Sequence, residues 1–125
     1  MNTKELCNQV FKIIDLLNFE FIHPPLIVGG MALEYYGIRK SGPDFDCMVS
    51  PEDWVRLKKL YPNNINLFGG NTEQDVDATI NVKDFDTHID LLSTLYQYNY
   101  YFLGKNSILI NSENSSYKKI KIISI

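Results

Sequence analysis

Between Leu26 and Val49 the chain runs through an apolar segment, a glycine pair, a short amphipathic stretch and two aspartates spaced by one phenylalanine. Few architectures accommodate that order. Leu26-Ile27-Val28 has the continuity of a buried strand, and Gly29-Gly30 turns it. Gly30 to Tyr36 then makes one short helix capped by Gly37, and a second strand follows from Phe45 to Val49. Alternate residues of a strand face the same way, so Asp44 and Asp46 stand side by side with Phe45 turned into the core. Carboxylates that close repel each other unless something neutralises them, and a divalent cation is the usual solution. Gly29 and Gly30 allow close backbone approach at a helix N-terminus, where free N–H groups and the helix dipole favour phosphate. A β-branched side chain at Gly30 would block that approach. A phosphate cradle beside a carboxylate pair suits phosphoryl or nucleotidyl transfer.

The run Val28-Gly29-Gly30-Met31-Ala32-Leu33, the step Gly37-Ile38-Arg39 and the triplet Asp44-Phe45-Asp46 resemble the signature of the polymerase-β-type nucleotidyltransferases. Within that superfamily they are most similar to small bacterial and viral members, including toxin–antitoxin nucleotidyltransferases. The likeness is tight from Leu26 to Leu60, looser to Leu95 and absent beyond. It implies an α/β (α+β) fold with a mixed, mostly antiparallel sheet and flanking helices. It also implies transfer of a nucleoside monophosphate from a nucleoside triphosphate to an acceptor hydroxyl, with release of pyrophosphate and two Mg²⁺ ions as cofactors. Asp44 and Asp46 would hold one ion against the triphosphate and share the second with a third carboxylate. Gly29 and Gly30 would bind the outer phosphates. Arg39 and Lys40 would steer the triphosphate or the leaving pyrophosphate, or else form a solvated loop. That loop, Arg39 to Pro43, is longer than the R-x-T-x-D form of many relatives.

Two other DxD triplets occur, Asp75-Val76-Asp77 and Asp84-Phe85-Asp86, so the tripeptide alone does not choose. Asp84 and Asp86, between Lys83 and Thr87, read as a solvated turn. For the third carboxylate, Asp90 is favoured. It lies in Ile89-Asp90-Leu91-Leu92, a costly setting for an unpartnered charge, and resembles the I-D-L-L step of several relatives. Asp77 is the second candidate, and a strand-end aspartate facing water is the plain alternative for either.

The remaining chain is read from periodicity. Thr3 to Asn18 is an amphipathic helix with Leu6, Val10, Ile13, Ile14 and Leu17 on one face. Ser50-Pro51-Glu52-Asp53 is a strong helix start: Ser50 as N-cap, Pro51 at the first position, Asp53 completing a capping box. Strands are expected at Ile65–Phe68, Val76–Val82 and His88–Leu92, then a helix over Leu95–Leu103 and a terminal hairpin of Ile108–Ile110 with Ile120–Ile125. The tyrosines at 96, 98, 100 and 101 are explained more cheaply by packing than by base stacking.

At 125 residues the chain is expected to form a single domain over 1–125. Its 45% hydrophobic and 22% charged content is ordinary for a soluble globular protein, and a net charge of −3 argues against holding long nucleic acid by charge alone. No apolar run is long enough to span a bilayer, and no signal-peptide pattern opens the chain. Cys7 and Cys47 read as reduced core thiols of a cytoplasmic protein. His23 and His88 fit no zinc spacing. The acceptor is left open among an RNA end, a protein side chain and a small hydroxylated compound. A second reading is a non-catalytic nucleotidyltransferase-like module acting with a partner protein, suggested by a chain that stops at Ile125 where many relatives continue into acceptor-binding helices.

Overall fold

The computed structural model describes residues 3–40, 45–63, 65–68, 76–80, 89–93, 97–113 and 118–124, and gives the backbone course alone at Phe45 and over 65–68, 76–80, 89–93 and 97–99. The N-terminal amphipathic run forms α1 (Thr3–Leu16), burying Leu6, Cys7, Val10, Phe11, Ile13 and Ile14. Asn18, at φ 45°, turns the chain out of it. The order continues β1 (Leu26–Ile27), α2 (Gly29–Tyr35), β2 (Phe45–Met48), α3 (Pro51–Leu60), β3 (Ile65–Phe68), β4 (Val76–Ile80), β5 (Ile89–Ser93), α4 (Gln97–Gly104), β6 (Ser107–Asn111) and β7 (Lys119–Ile123). Every element expected from the sequence is present, with ends that differ by at most two residues among those described, as fraying termini allow.

The strands form one sheet in the order β3-β4-β5-β2-β1-β7-β6. β2 runs parallel to β5 and β1 parallel to β7, while the remaining neighbours are antiparallel. This is the mixed, mostly antiparallel sheet anticipated above. The terminal hairpin forms, and it also docks β7 against β1, which extends the sheet beyond its first strand.

The pleat sorts the core into two layers. Ile27, Cys47 and Ile122 are register partners, and their face packs against α1, Met31 and Ala32 of α2, and Trp54 and Leu57 of α3. On the other face Leu26 and Met48 meet Tyr100 of α4. β1 is therefore covered on both sides, with Leu26 0% and Ile27 1% exposed. Each such side chain contributes about 1.5–3 kcal/mol through burial, which anchors a strand only two residues long. Tyr100 keeps its hydroxyl bonded by donating to the Pro24 carbonyl, and burial pushes its pKa well above the usual phenol range.

α3 starts as its sequence dictates: Ser50 Oγ accepts from the Asp53 N–H at 3.1 Å. The Asp53 carboxylate has a longer reach than a capping box requires. Fully buried, it accepts from the backbone N–H groups of Ile22 and His23, both at 2.9 Å, and from Arg56 Nη1 at 2.8 Å. It thereby fastens the chain entering β1 to the first turn of α3. Nearby, the Tyr101 hydroxyl donates to Glu52 at 2.7 Å. That bond holds the Glu52 carboxyl below its ordinary range. Burial, then the Glu52 contact, pushes Tyr101 up to about 12.

Candidate active site

The turn between β1 and α2 fixes the centre of the site. Val28 stands extended as N-cap, and its N–H donates to the Asp46 carbonyl at 3.2 Å, carrying the β1–β2 pairing one step past the strand. Gly29 follows at φ 65°, the left-handed region that L side chains avoid. The sequence places the helix start at Gly30, whereas the structure starts α2 at Gly29 and makes that glycine the left-handed one. The helix opens one residue earlier because the left-handed glycine itself begins α2.

The reason only glycine fits is spatial as well as conformational. A Cβ on Gly29 would stand 2.5 Å from Asp46 Oδ2 and 3.3 Å from Asp46 Cβ and Cγ. The half-buried Asp46 carboxylate is thus seated on the bare backbone of the turn. Gly37, by contrast, is left-handed at φ 74° as the chain leaves α2, and a Cβ there would meet nothing within 4 Å. Arg39 lies exposed just beyond it.

Register decides how the expected carboxylates are distributed. Asp46 on β2 pairs with Asp90 on β5, and Asp90 pairs in turn with Thr79 on β4. Both aspartate positions fall on the face that carries Leu26 and Met48, since partners across a ladder and alternate residues along a strand share a face. Their backbones lie about 4.8 Å apart, one strand spacing. Asp77 pairs with Leu92, so its backbone is two strand spacings across and two residues along from Asp46, roughly 12 Å away. Asp44 lies outside the described residues, as do Asp75, Asp84, Asp86 and His88. Among the described residues no group of three His, Cys, Asp or Glu side chains is placed to hold a metal; that set excludes Asp44 and the Asp90 side chain.

Oxygen donors are what a hard cation such as Mg²⁺ takes, and adjacent strand positions suit two carboxylates converging on an ion about 2.1 Å from each oxygen. The glycine seat that turns Asp46 towards the β1–α2 turn fits the same use. The described carboxylate at Asp46 is of the donor type such an ion takes.

Cys7 and Cys47 are both buried and outside any disulfide. No helix among the described residues is long and apolar enough to cross a membrane. His23 sits in the connection before β1, 4.0 Å from Glu52 and 3.5 Å from the Tyr101 hydroxyl.

No protein-family model matches the chain, and neither does any curated protein. Among solved structures it is similar to a crystal structure of a Thermotoga maritima protein provisionally assigned as a nucleotidyltransferase. The TM-score is 0.57 and the identity 13%, with 100% of this chain and 81% of that chain covered. At this identity the likeness speaks for the architecture: the chain has a nucleotidyltransferase-type fold.

Proposed function

We propose that the protein is a metal-dependent nucleotidyltransferase, moving a nucleoside monophosphate from a nucleoside triphosphate to an acceptor hydroxyl. The observation that carries this reading is the pairing of Asp46 with Asp90 beside a turn whose glycine leaves room for the Asp46 carboxylate. Without a ligand that arrangement sets two carboxylate-bearing positions side by side on a sheet face, a cost that a bound cation would offset.

In the proposed reaction, Asp44, Asp46 and Asp90 are the residues that would hold two Mg²⁺ ions. When bound, these supply positive charge for the phosphates and acidify the acceptor hydroxyl. Gly29 leaves room for the Asp46 side chain, and the backbone N–H groups of Gly29 and Gly30 would bind the outer phosphates, with Arg39 on the pyrophosphate side. Asp90 takes the acceptor proton as the acceptor oxygen bonds to the α-phosphorus and the bond to pyrophosphate breaks. The substrates and the two buried cysteines outside any disulfide agree with a cytoplasmic setting.

Incubation of the purified protein with each α-labelled triphosphate, Mg²⁺ and a crude cell extract tests the reading. A labelled acceptor that disappears when Mg²⁺ is chelated is expected. No label transfer, with no thermal shift from Mg²⁺ and nucleotide, would leave the non-catalytic binding module as the better account.

A further inference from the structure

We infer that β6 is the docking edge for a second copy of this chain, the two β6 strands pairing antiparallel about a two-fold axis through Leu109. Among the described residues β6 closes one end of the sheet and pairs with β7 alone. The backbone pattern shows which of its groups point outward. Ser112 N–H donates to the Lys118 carbonyl at 2.9 Å, and Ser124 N–H donates to the Asn106 carbonyl at 2.7 Å. These two pairs bracket the hairpin and have the same register as Ile108↔Ile122 and Ile110↔Ile120. In an antiparallel ladder, hydrogen-bonded pairs alternate with pairs whose N–H and C=O groups point away from each other. Ser107, Leu109 and Asn111 are therefore the outward-pointing set. The Lys121 N–H, opposite Leu109, duly turns away from β6 to the Pro25 carbonyl at 2.9 Å.

The strand is nearly palindromic in character: Ser107-Ile108-Leu109-Ile110-Asn111 reads polar, Ile, Leu, Ile, polar from either end. A two-fold pairing centred on Leu109 sets Leu109 against its own copy, and Ser107 against Asn111 on each side. Three such hydrogen-bonded pairs give about six backbone bonds. Ile108 then meets Ile110 of the other copy on the face that packs α1. The side chains to be covered are open, Ile108 being 39% and Leu109 49% exposed. Edge strands that must stay single are ordinarily guarded by Lys, Pro, a charge or a bulge, and β6 carries none of these. Its lysines sit one strand in, on β7. The two copies of Lys121 would be about three strand spacings apart, roughly 14 Å, beyond the screening length of about 8 Å at physiological salt. The partner that fits an uncharged, self-complementary edge is the edge itself.

Sedimentation or light scattering on the full chain at tens of micromolar tests this. The wild type should be dimeric. Leu109→Lys, which sets two charges face to face, should be monomeric with unchanged circular dichroism. Leu109→Pro removes only an outward N–H and should also be monomeric. Leu109→Cys should form a disulfide-linked dimer on mild oxidation, because a hydrogen-bonded pair has Cα atoms about 5.5 Å apart. Ser107→Cys, whose two copies lie at opposite ends of the pairing, should not. A monomeric wild type, a Leu109→Lys variant that remains dimeric, or cross-linking at 107 in place of 109 would each overturn the inference.

Discussion

Replacing Gly29 by alanine separates the demand of the backbone from the demand of Asp46, because Gly37 supplies the control. Both glycines are left-handed, at φ 65° and 74°. Adding a Cβ at either costs about 1–2 kcal/mol for that conformation. At Gly37 nothing else is disturbed, since the new methyl meets nothing within 4 Å. At Gly29 it would lie 2.5 Å from Asp46 Oδ2, so the carboxylate must rotate away. A displaced side chain costs only about 0.5–1.5 kcal/mol more. The two variants should thus differ modestly in urea midpoint, Gly29→Ala being destabilised by about 1.5–3.5 kcal/mol and Gly37→Ala by about 1–2 kcal/mol. Their function should differ far more. Gly29→Ala moves a proposed metal ligand out of place, and Mg²⁺–nucleotide binding, read as a thermal shift with a non-hydrolysable triphosphate, should disappear, while Gly37→Ala keeps it. Retention of the full shift in a folded Gly29→Ala protein would refute the idea that the turn exists to seat Asp46.

Further outcomes follow from the same geometry. Asp46→Asn should abolish transfer while leaving the fold as stable as wild type or slightly more so without metal, checked by label transfer and urea unfolding. Asp53→Asn should destabilise the chain by about 3 kcal/mol, since it weakens charge-assisted bonds to Ile22, His23 and Arg56 in a buried setting; a change below about 0.5 kcal/mol, typical of surface positions, would contradict that role. Glu52 is held below its ordinary pKa chiefly by Tyr101, so its contribution is present above the unfolded carboxylate pKa and is lost as pH falls through the lowered value. Between pH 7 and pH 3 the wild type should therefore lose more stability than Tyr101→Phe, and equal losses would argue against the linkage.

Local chemistry was legible in the sequence and strand partnership was not. Ser50-Pro51 announced α3 because an N-cap and a first-turn proline act within one turn. The two apolar runs at the C-terminus announced a hairpin. Nothing in either run states that β7 will also lie parallel beside β1, since that depends on which buried strand is left with an open edge. Asp53 shows the same limit: its capping position is local, but its bonds to Ile22 and His23 span some thirty residues. Periodicity marked Asp90 and Asp77 alike as strand aspartates flanked by apolar residues. The larger apolar neighbours of Asp90 favour it over Asp77, and the β2–β5 register gives the spatial reason by bringing position 90 beside position 46. The glycine pair was recognised as a pair, yet which member is left-handed depends on where Asp46 comes to rest.

The most direct test of the proposed chemistry compares Asp90→Ala with Asp77→Ala in α-label transfer, once an acceptor has been captured. Both are aspartates on neighbouring strands, so general loss of charge cannot explain a difference between them. With Asp90 beside Asp46 and Asp77 roughly 12 Å from it across the sheet, Asp90→Ala should slow single-turnover transfer by orders of magnitude while sparing nucleotide binding, and Asp77→Ala should change the rate little. A silent Asp90→Ala beside an inactive Asp77→Ala would contradict the account, because the working carboxylate would then lie one strand away from where the register puts it.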